Sequence, residues 1–229
     1  MPTQHTVTSF DQELAHLYEH VVRMGQLARR QVDRAHDALQ RGDKELAQRV
    51  VADDAEIDEL HAKVKIGGHN LLARRQPMAR DLREIVSCGR VATDLERIGD
   101  HAKNIARRCI VIGPELLPEG GLEGVRELHH AVAPALRDVL TALETRDAAL
   151  AREVWLRDKD LDMVFNDLFA RMLVLMQNTP AVVPACVHLL FVARSLERCG
   201  DHATNVAEDV LYWVTGDLVT EQRPQATVR

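Results

Sequence analysis

Aromatic residues are scarce in this chain: four Phe, two Tyr and two Trp among 229 residues. Glycine and proline are sparse too, at 12 and 8. A β-sandwich or barrel needs aromatic strand residues and frequent turns, so the joint shortage excludes an all-β fold. The four cysteines, Cys88, Cys109, Cys186 and Cys199, lack C-x-x-C spacing. They read as free thiols of a reducing cytosol, not as a disulfide frame or zinc site. Positive charge is not in excess: 29 Lys and Arg face 35 Asp and Glu, for a formal net charge of -6. That balance argues against broad nucleic-acid binding, which needs a basic surface. No run approaches the roughly 18 uninterrupted apolar residues of a membrane span. Met1–Phe10 has neither the basic leader nor the apolar segment of a secretory signal. Catalytic signatures are missing as well, with no G-x-S-x-G, P-loop, H-E-x-x-H or Cys/His pair at motif spacing.

What the chain does have is helical periodicity. Hydrophobic residues make up 46% of it, enough to fill a core. Six long helices are predicted. The first starts near Ser9, whose hydroxyl is expected to cap it, with Gln12 three residues on. Its stripe of Phe10, Leu14, Leu17, Val21, Met24, Ala28, Ala35 and Leu39 is a coiled-coil-like seam. Gly42 ends that helix and Asp43 caps the next, which carries Leu46, Val50, Ile57, Leu60, Val64 and Leu71. A third runs from about Pro77 to Gly113-Pro114. The densest cluster of helix breakers, Gly113 to Gly121, reads as a joint between two halves. Beyond it lie helices over about 122–145, 147–177 with Asp147 as cap, and Pro180 to Gly216. Two three-helix units, 8–113 and 120–216, and an unstructured tail, 217–229, follow.

The halves repeat one another. Val91–Ala106 aligns with Val192–Ala207, and eleven of the sixteen positions are identical. Upstream, Asp54-Ala-Glu-Ile-Asp58 matches Asp158-Lys-Asp-Leu-Asp162 at the offset that also relates Gly42-Asp43 to Arg146-Asp147.

Four carboxylate pairs at i, i+4 stand out: Asp54/Asp58, Glu96/Asp100, Asp158/Asp162 and Glu197/Asp201. That spacing puts both acids of a pair on one helix face, where they repel. A repeat that keeps such a penalty four times points to a bound cation, and oxygen ligands suit Mg²⁺, Ca²⁺, Mn²⁺ or iron. A solvated acidic face, or neutralisation by Arg97 and Arg198, explains the same pattern without metal. Glu96 and Asp100 fall opposite the stripe Leu95, Ile98, Ala102 and Ile105, which places the carboxylates at the bundle surface. His101 and His202 read as packing residues. Asp58-x-x-His61 has no counterpart, since the second copy is Asp162-x-x-Phe165, so a ferritin-type oxidase loses support. Glu127-x-x-His130 is a single occurrence. Gly89, Ala92 and Gly99, matched in part by Ala193 and Gly200, suggest close helix approach or room for a ligand.

Asp94-Leu-Glu-Arg-Ile-Gly-Asp-His-Ala-Lys-Asn-Ile-Ala106, its second copy, and Arg75–Arg83 resemble the PhoU family of phosphate-transport regulators, and the resemblance spans residues 8–216. It implies an all-α fold of two tandem pseudo-symmetric three-helix bundles. It also implies surface metal clusters held by E/D-x-x-x-D motifs, which here are Asp54, Asp58, Glu96, Asp100, Asp158, Asp162, Glu197 and Asp201. The ion implied is iron, zinc, manganese or magnesium. The function implied is non-enzymatic: repression of the phosphate-starvation response as an adaptor between the Pst phosphate ABC transporter and the PhoR sensor histidine kinase. The expected location is the cytoplasm, peripheral to the inner face of the cell membrane, and the expected assembly is a homodimer. Ser195 replaces Asp94 in the second copy, which on this reading removes a ligand from the second site. Two alternatives stand beside it: a di-metal oxidase or hydrolase, and a structural bundle that binds nothing.

Overall fold

The computed structural model describes residues 3–112, 117 and 120–221, with side chains from Ser9 onward. Its first half holds α1 (Thr3–Arg41), α2 (Lys44–Arg75) and α3 (Ala79–Val111). The second holds α4 (Gly121–Thr145), α5 (Ala148–Leu156), α6 (Asp158–Asn178) and, after a 3-10 turn at Pro180–Val182, α7 (Val183–Thr215). No strand occurs among the described residues. The all-α architecture is as expected. One rod expected as continuous, 147–177, is broken at Arg157 into α5 and α6. Arg157 Nη2 donates to Asp138 Oδ2 of α4 at 2.9 Å, which ties the break to its neighbour. Counting that bent rod as one gives six.

Helix ends follow local chemistry. Asp43 accepts from the Leu46 amide at 2.8 Å, and Asp147 accepts from those of Ala149 and Leu150 at 2.9 and 3.0 Å. Both satisfy amides that a helix start leaves unpaired. Gly42 closes α1 with φ 64°; its counterpart Arg146 adopts φ 55°, a conformation costing an L-residue roughly 1–2 kcal/mol. The Arg146 guanidinium offsets this by bonding Glu84 at 2.9 Å and lying 4.7 Å over the Trp213 ring. Ser9 is not a cap. α1 begins earlier, at Thr3, and the Ser9 hydroxyl lies inside it, donating to Glu13 and accepting from Arg75. The breaker-rich joint lies mostly outside the described residues, as does the tail beyond Glu221; residues 217–221 carry no helix.

The buried apolar side chains of both halves form one continuous cluster. α3 and α7 are its central helices. Arg90 pairs with Asp209, Asp94 with His202, and Arg108 with His188, so partner numbers fall as those on α3 rise and the two helices run antiparallel. The duplicated signature segments therefore cross each other at the centre of the molecule. α1 also meets α4, where the Tyr18 hydroxyl donates to the Leu143 carbonyl at 2.8 Å. The stretch Pro180–Thr215 is long and apolar enough to cross a bilayer by composition alone. Its inward row, Leu189, Val192, Leu196, Val206 and Val210 among it, belongs to this core, and the stretch carries Glu197, Asp201, Glu208 and Asp209.

Candidate functional site

The acidic residues gather in two equivalent grooves, one between α2 and α3, the other between α6 and α7. In the first, α2 buries the row Ala47, Val50, Asp54, Ile57, Val64 and Leu71. Asp54 thus occupies a seam position of the apolar face and is only 3% exposed. It fits because Gly99 of α3 lies opposite: a Cβ there would come within 3.1 Å of Asp54 Oδ1 and 2.9 Å of Ile57 Cδ1. Asp158 takes the matching seam position on α6 and is also buried. A Cβ on Gly200 would meet Leu161 Cδ1 at 2.6 Å.

Sequence reasoning placed these acids at the bundle edge, and the structure corrects this for three of them. Asp54, Asp158 and Glu197 are buried; Glu96, Asp100, Asp162 and Asp201 are half-buried; Asp58 is exposed. The physical reason is the position of α3 and α7. Each packs on more than one side, so the face opposite its apolar stripe is covered by α2 or α6 instead of by water.

The grooves are charged differently. In the first, the Lys103 ammonium bonds both Asp54 Oδ2 and Asp100 Oδ1, the latter at 2.7 Å. Burial raises the Asp54 carboxyl pKa above its ordinary value, while Lys103 opposes that rise. Burial works against the Lys103 charge, yet its bonds to Asp100 and Asp54 hold its pKa above the usual lysine value. Arg97 reaches Asp100 at 3.4 Å and Glu96 at 3.5 Å. Burial, then Asp100, raises the Glu96 pKa, with Asp58 and His61 also in electrostatic reach.

In the second groove, Thr204 stands where Lys103 does, and its hydroxyl donates to Asp158 Oδ1 at 2.8 Å. Arg194 bonds Glu197 Oε1 at 2.6 Å and Arg198 bonds Asp201 at 3.1 Å. Glu197 Oε2 is buried with no hydrogen-bond partner among the described residues. Burial, then the charges of Asp201 and Asp162, push its carboxyl up to about 7. The Lys103/Thr204 difference was the available signal, since it is one of five mismatches in the aligned segments. Arg194, opposite Thr93, is another.

Two further expectations change. Asp94 belongs to neither groove: it meets His202 Nδ1 at 2.7 Å and accepts from Asn205 at 2.8 Å across the α3–α7 contact. Its replacement by Ser195 therefore removes nothing from the second groove. His101 packs against His202, ring centroids 5.6 Å apart, and burial lowers its pKa to about 4. Gly89 faces open space, so close packing does not account for it. All four cysteines are free and buried; burial pushes the Cys88 thiol up to about 12, which leaves it unsuited to nucleophilic work.

This geometry tests a metal ion directly. Among the described residues no three His, Cys, Asp or Glu side chains are gathered closely enough to hold one. The first groove fits an ion poorly, because a cationic side chain already bonds two of its carboxylates. The second fits better. Its cations, Arg194 on Glu197 and Arg198 on Asp201, reach in from exposed side chains. Glu197 Oε2 is buried without a hydrogen bond among the described residues, with Arg198 Nε 3.9 Å away, a state a buried group rarely tolerates.

The PhoU domain family model matches residues 21–109 and 125–210, the greater part of the chain in two copies. The chain belongs to the PhoU family. It is 43% identical over 227 residues to the Phosphate-specific transport system accessory protein PhoU homolog of Caulobacter vibrioides, covering 99% of this chain and 98% of that one. The homolog of the same name from Rhizobium meliloti is 37% identical, covering 98% and 95%. The crystal structure of PhoU from Pseudomonas aeruginosa superposes with a TM-score of 0.88 at 36% identity, covering 91% of this chain and all of that one. The phosphate transport system regulatory protein PhoU from Streptococcus pneumoniae gives 0.83 at 28%, covering 93% and 100%. The two matched PhoU copies account for the duplicated architecture.

Proposed function

We propose that the chain is a regulatory accessory protein of phosphate transport that acts by docking and catalyses nothing. The observation that carries this reading is end-to-end similarity to relatives named for that role, at 43% identity over 99% of the chain. In this reading it links a Pst-type phosphate ABC transporter to a PhoR-type sensor histidine kinase and silences the phosphate-starvation response when phosphate is plentiful. It works in the cytoplasm at the inner face of the cell membrane, held there by protein contacts, as a homodimer. Exposed Phe169, Leu173 and Val174 on α6 and Phe191 on α7 supply apolar surface of the kind that receives partner helices.

A metal ion belongs to this proposal in the second groove. Glu197, Asp201 and Asp162, backed by Asp158, would hold it once the half-buried Asp201 and Asp162 turn onto it. Oxygen donors of this kind select iron, manganese, magnesium or zinc. When bound, the ion supplies positive charge that clamps α6 to α7.

Crosslinking a tagged chain in phosphate-replete cells and identifying the captured proteins tests the docking reading. Recovery of the phosphate transporter's ATPase subunit and of a sensor kinase is expected; recovery of neither contradicts it. Metal analysis tests the second part. Glu197→Ala/Asp201→Ala should lose bound metal relative to the parent, and equal content in both would remove the ion from the account.

A further inference from the structure

We infer that Lys103 is the resident cation of the first groove, standing where a metal ion would have to bind and closing that groove to divalent cations. The inference rests on the metal reading above only for its contrast with the second groove. The Lys103 ammonium has three donors and no acceptor. Two of those donors are spent on Asp54 and Asp100, which come from different helices. The Lys103 side chain is largely buried, 17% exposed, so it is fixed across the groove and not one of many solvent-side conformers. Asp54, the deepest acid of the groove, pairs with no other cation among the described residues and cannot be left charged and alone. Lys103 therefore neutralises Asp54 and bridges α2 to α3, the mechanical task an ion would otherwise perform.

A divalent ion entering between these carboxylates would have to displace the ammonium or lie a few ångströms from it. Displacement strands a buried cation, and coexistence sets like charges together. In the second groove the same position is Thr204, a neutral donor that satisfies one oxygen of Asp158 without adding charge. The near-identical signatures therefore encode unlike grooves: Lys103 stands inside the first where Thr204 stands in the second, while Arg194, opposite Thr93, brings a cation to the second from an exposed side chain.

The experiment compares Mn²⁺ binding by equilibrium dialysis and calorimetry for the parent chain, Asp100→Asn, Lys103→Thr and Lys103→Thr/Asp100→Asn. The parent and Asp100→Asn should bind the same amount. Lys103→Thr should gain about one Mn²⁺ per chain, and the double variant should lose that gain, because the created site depends on a charged carboxylate set. Thr204→Lys offers an independent readout that leaves the first groove intact, and it should abolish Mn²⁺ binding in the second groove. Loss of bound Mn²⁺ in Asp100→Asn alone would overturn the inference, since the first groove would then bind metal with Lys103 present. A folded Lys103→Thr chain that gains nothing would overturn it equally. A parent that binds no Mn²⁺ defeats the metal reading of the second groove, while a gain in Lys103→Thr would still uphold the role of Lys103.

Discussion

The imidazole rings of His36 and His129 lie face to face where α1 meets α4, their centroids 3.9 Å apart and their planes within 3° of parallel. His129 Nε2 is 3.1 Å from Asp33 Oδ1, whereas neither ring nitrogen of His36 has a hydrogen-bond partner among the described residues. Burial, then the neighbouring His129, lowers the His36 pKa from 6.5 to about 4; Asp37 and Asp33 oppose the shift and His130 adds to it. The unfolded chain therefore takes up this proton first as pH falls. Stability is complete above the ordinary histidine pKa and is lost between 6.5 and about 4, by about 3 kcal/mol for this group. His101, lowered to about 4 by burial and His202, adds a loss in the same window. Urea unfolding from pH 7 to pH 4 should show this slope, and His36→Phe, which keeps a stacked ring but cannot titrate, should flatten it markedly. An unchanged slope would show that the stack does not set acid stability.

Asp209 works in the opposite direction. It is 2% exposed, and burial pushes its carboxyl up to about 7 despite Arg90 Nε at 2.9 Å. A group whose pKa rises on folding contributes its full stability below its unfolded value of 3.8 and loses it as pH rises through about 7. Asp209→Asn removes that penalty together with the ion pair. The stability difference, variant minus parent, should therefore climb with pH between about 4 and 7, by up to about 4 kcal/mol. A pH-independent difference in paired denaturation curves would contradict the assignment.

The helix glycines separate by what faces them. Gly99→Ala forces a Cβ against Asp54 and Ile57, and overpacking of this kind costs about 1–3 kcal/mol, more than the helix propensity gained. Gly89 lies in the same helix with nothing within 4 Å, so Gly89→Ala should stabilise by up to about 1 kcal/mol. Opposite signs in thermal melts of the two variants are expected. Equal effects would remove close approach as the reason for Gly99.

Asp94 joins the halves instead of serving a groove. Asp94→Ala strips His202 and Asn205 of their shared acceptor and should cost about 1–3 kcal/mol, with bound metal unchanged. Metal loss without destabilisation would return Asp94 to the acidic clusters.

Much of this was legible before the fold was seen. The helices, the caps at Asp43 and Asp147, and the duplication follow from local rules that act within a few residues. The groove acids were found as pairs, but their depth was not. A polarity pattern leaves Asp54 out of the α2 seam, because only a lysine 49 residues away makes its burial tolerable. Glu96 and Glu197 looked solvent-facing because one apolar stripe per helix was assumed, whereas α3 and α7 are covered on several sides. Asp94 was misassigned for a related reason, since its partners lie on the other half. The break at Arg157 is tied to Asp138 of a different helix, a contact that no local pattern reveals.

Deleting the gene and following a phosphate-starvation reporter in phosphate-rich medium tests the central claim most directly. The account predicts that the reporter stays switched on without the protein and that re-expression of the parent chain turns it off. A deletion strain that keeps the reporter silent in rich phosphate would contradict the regulatory role.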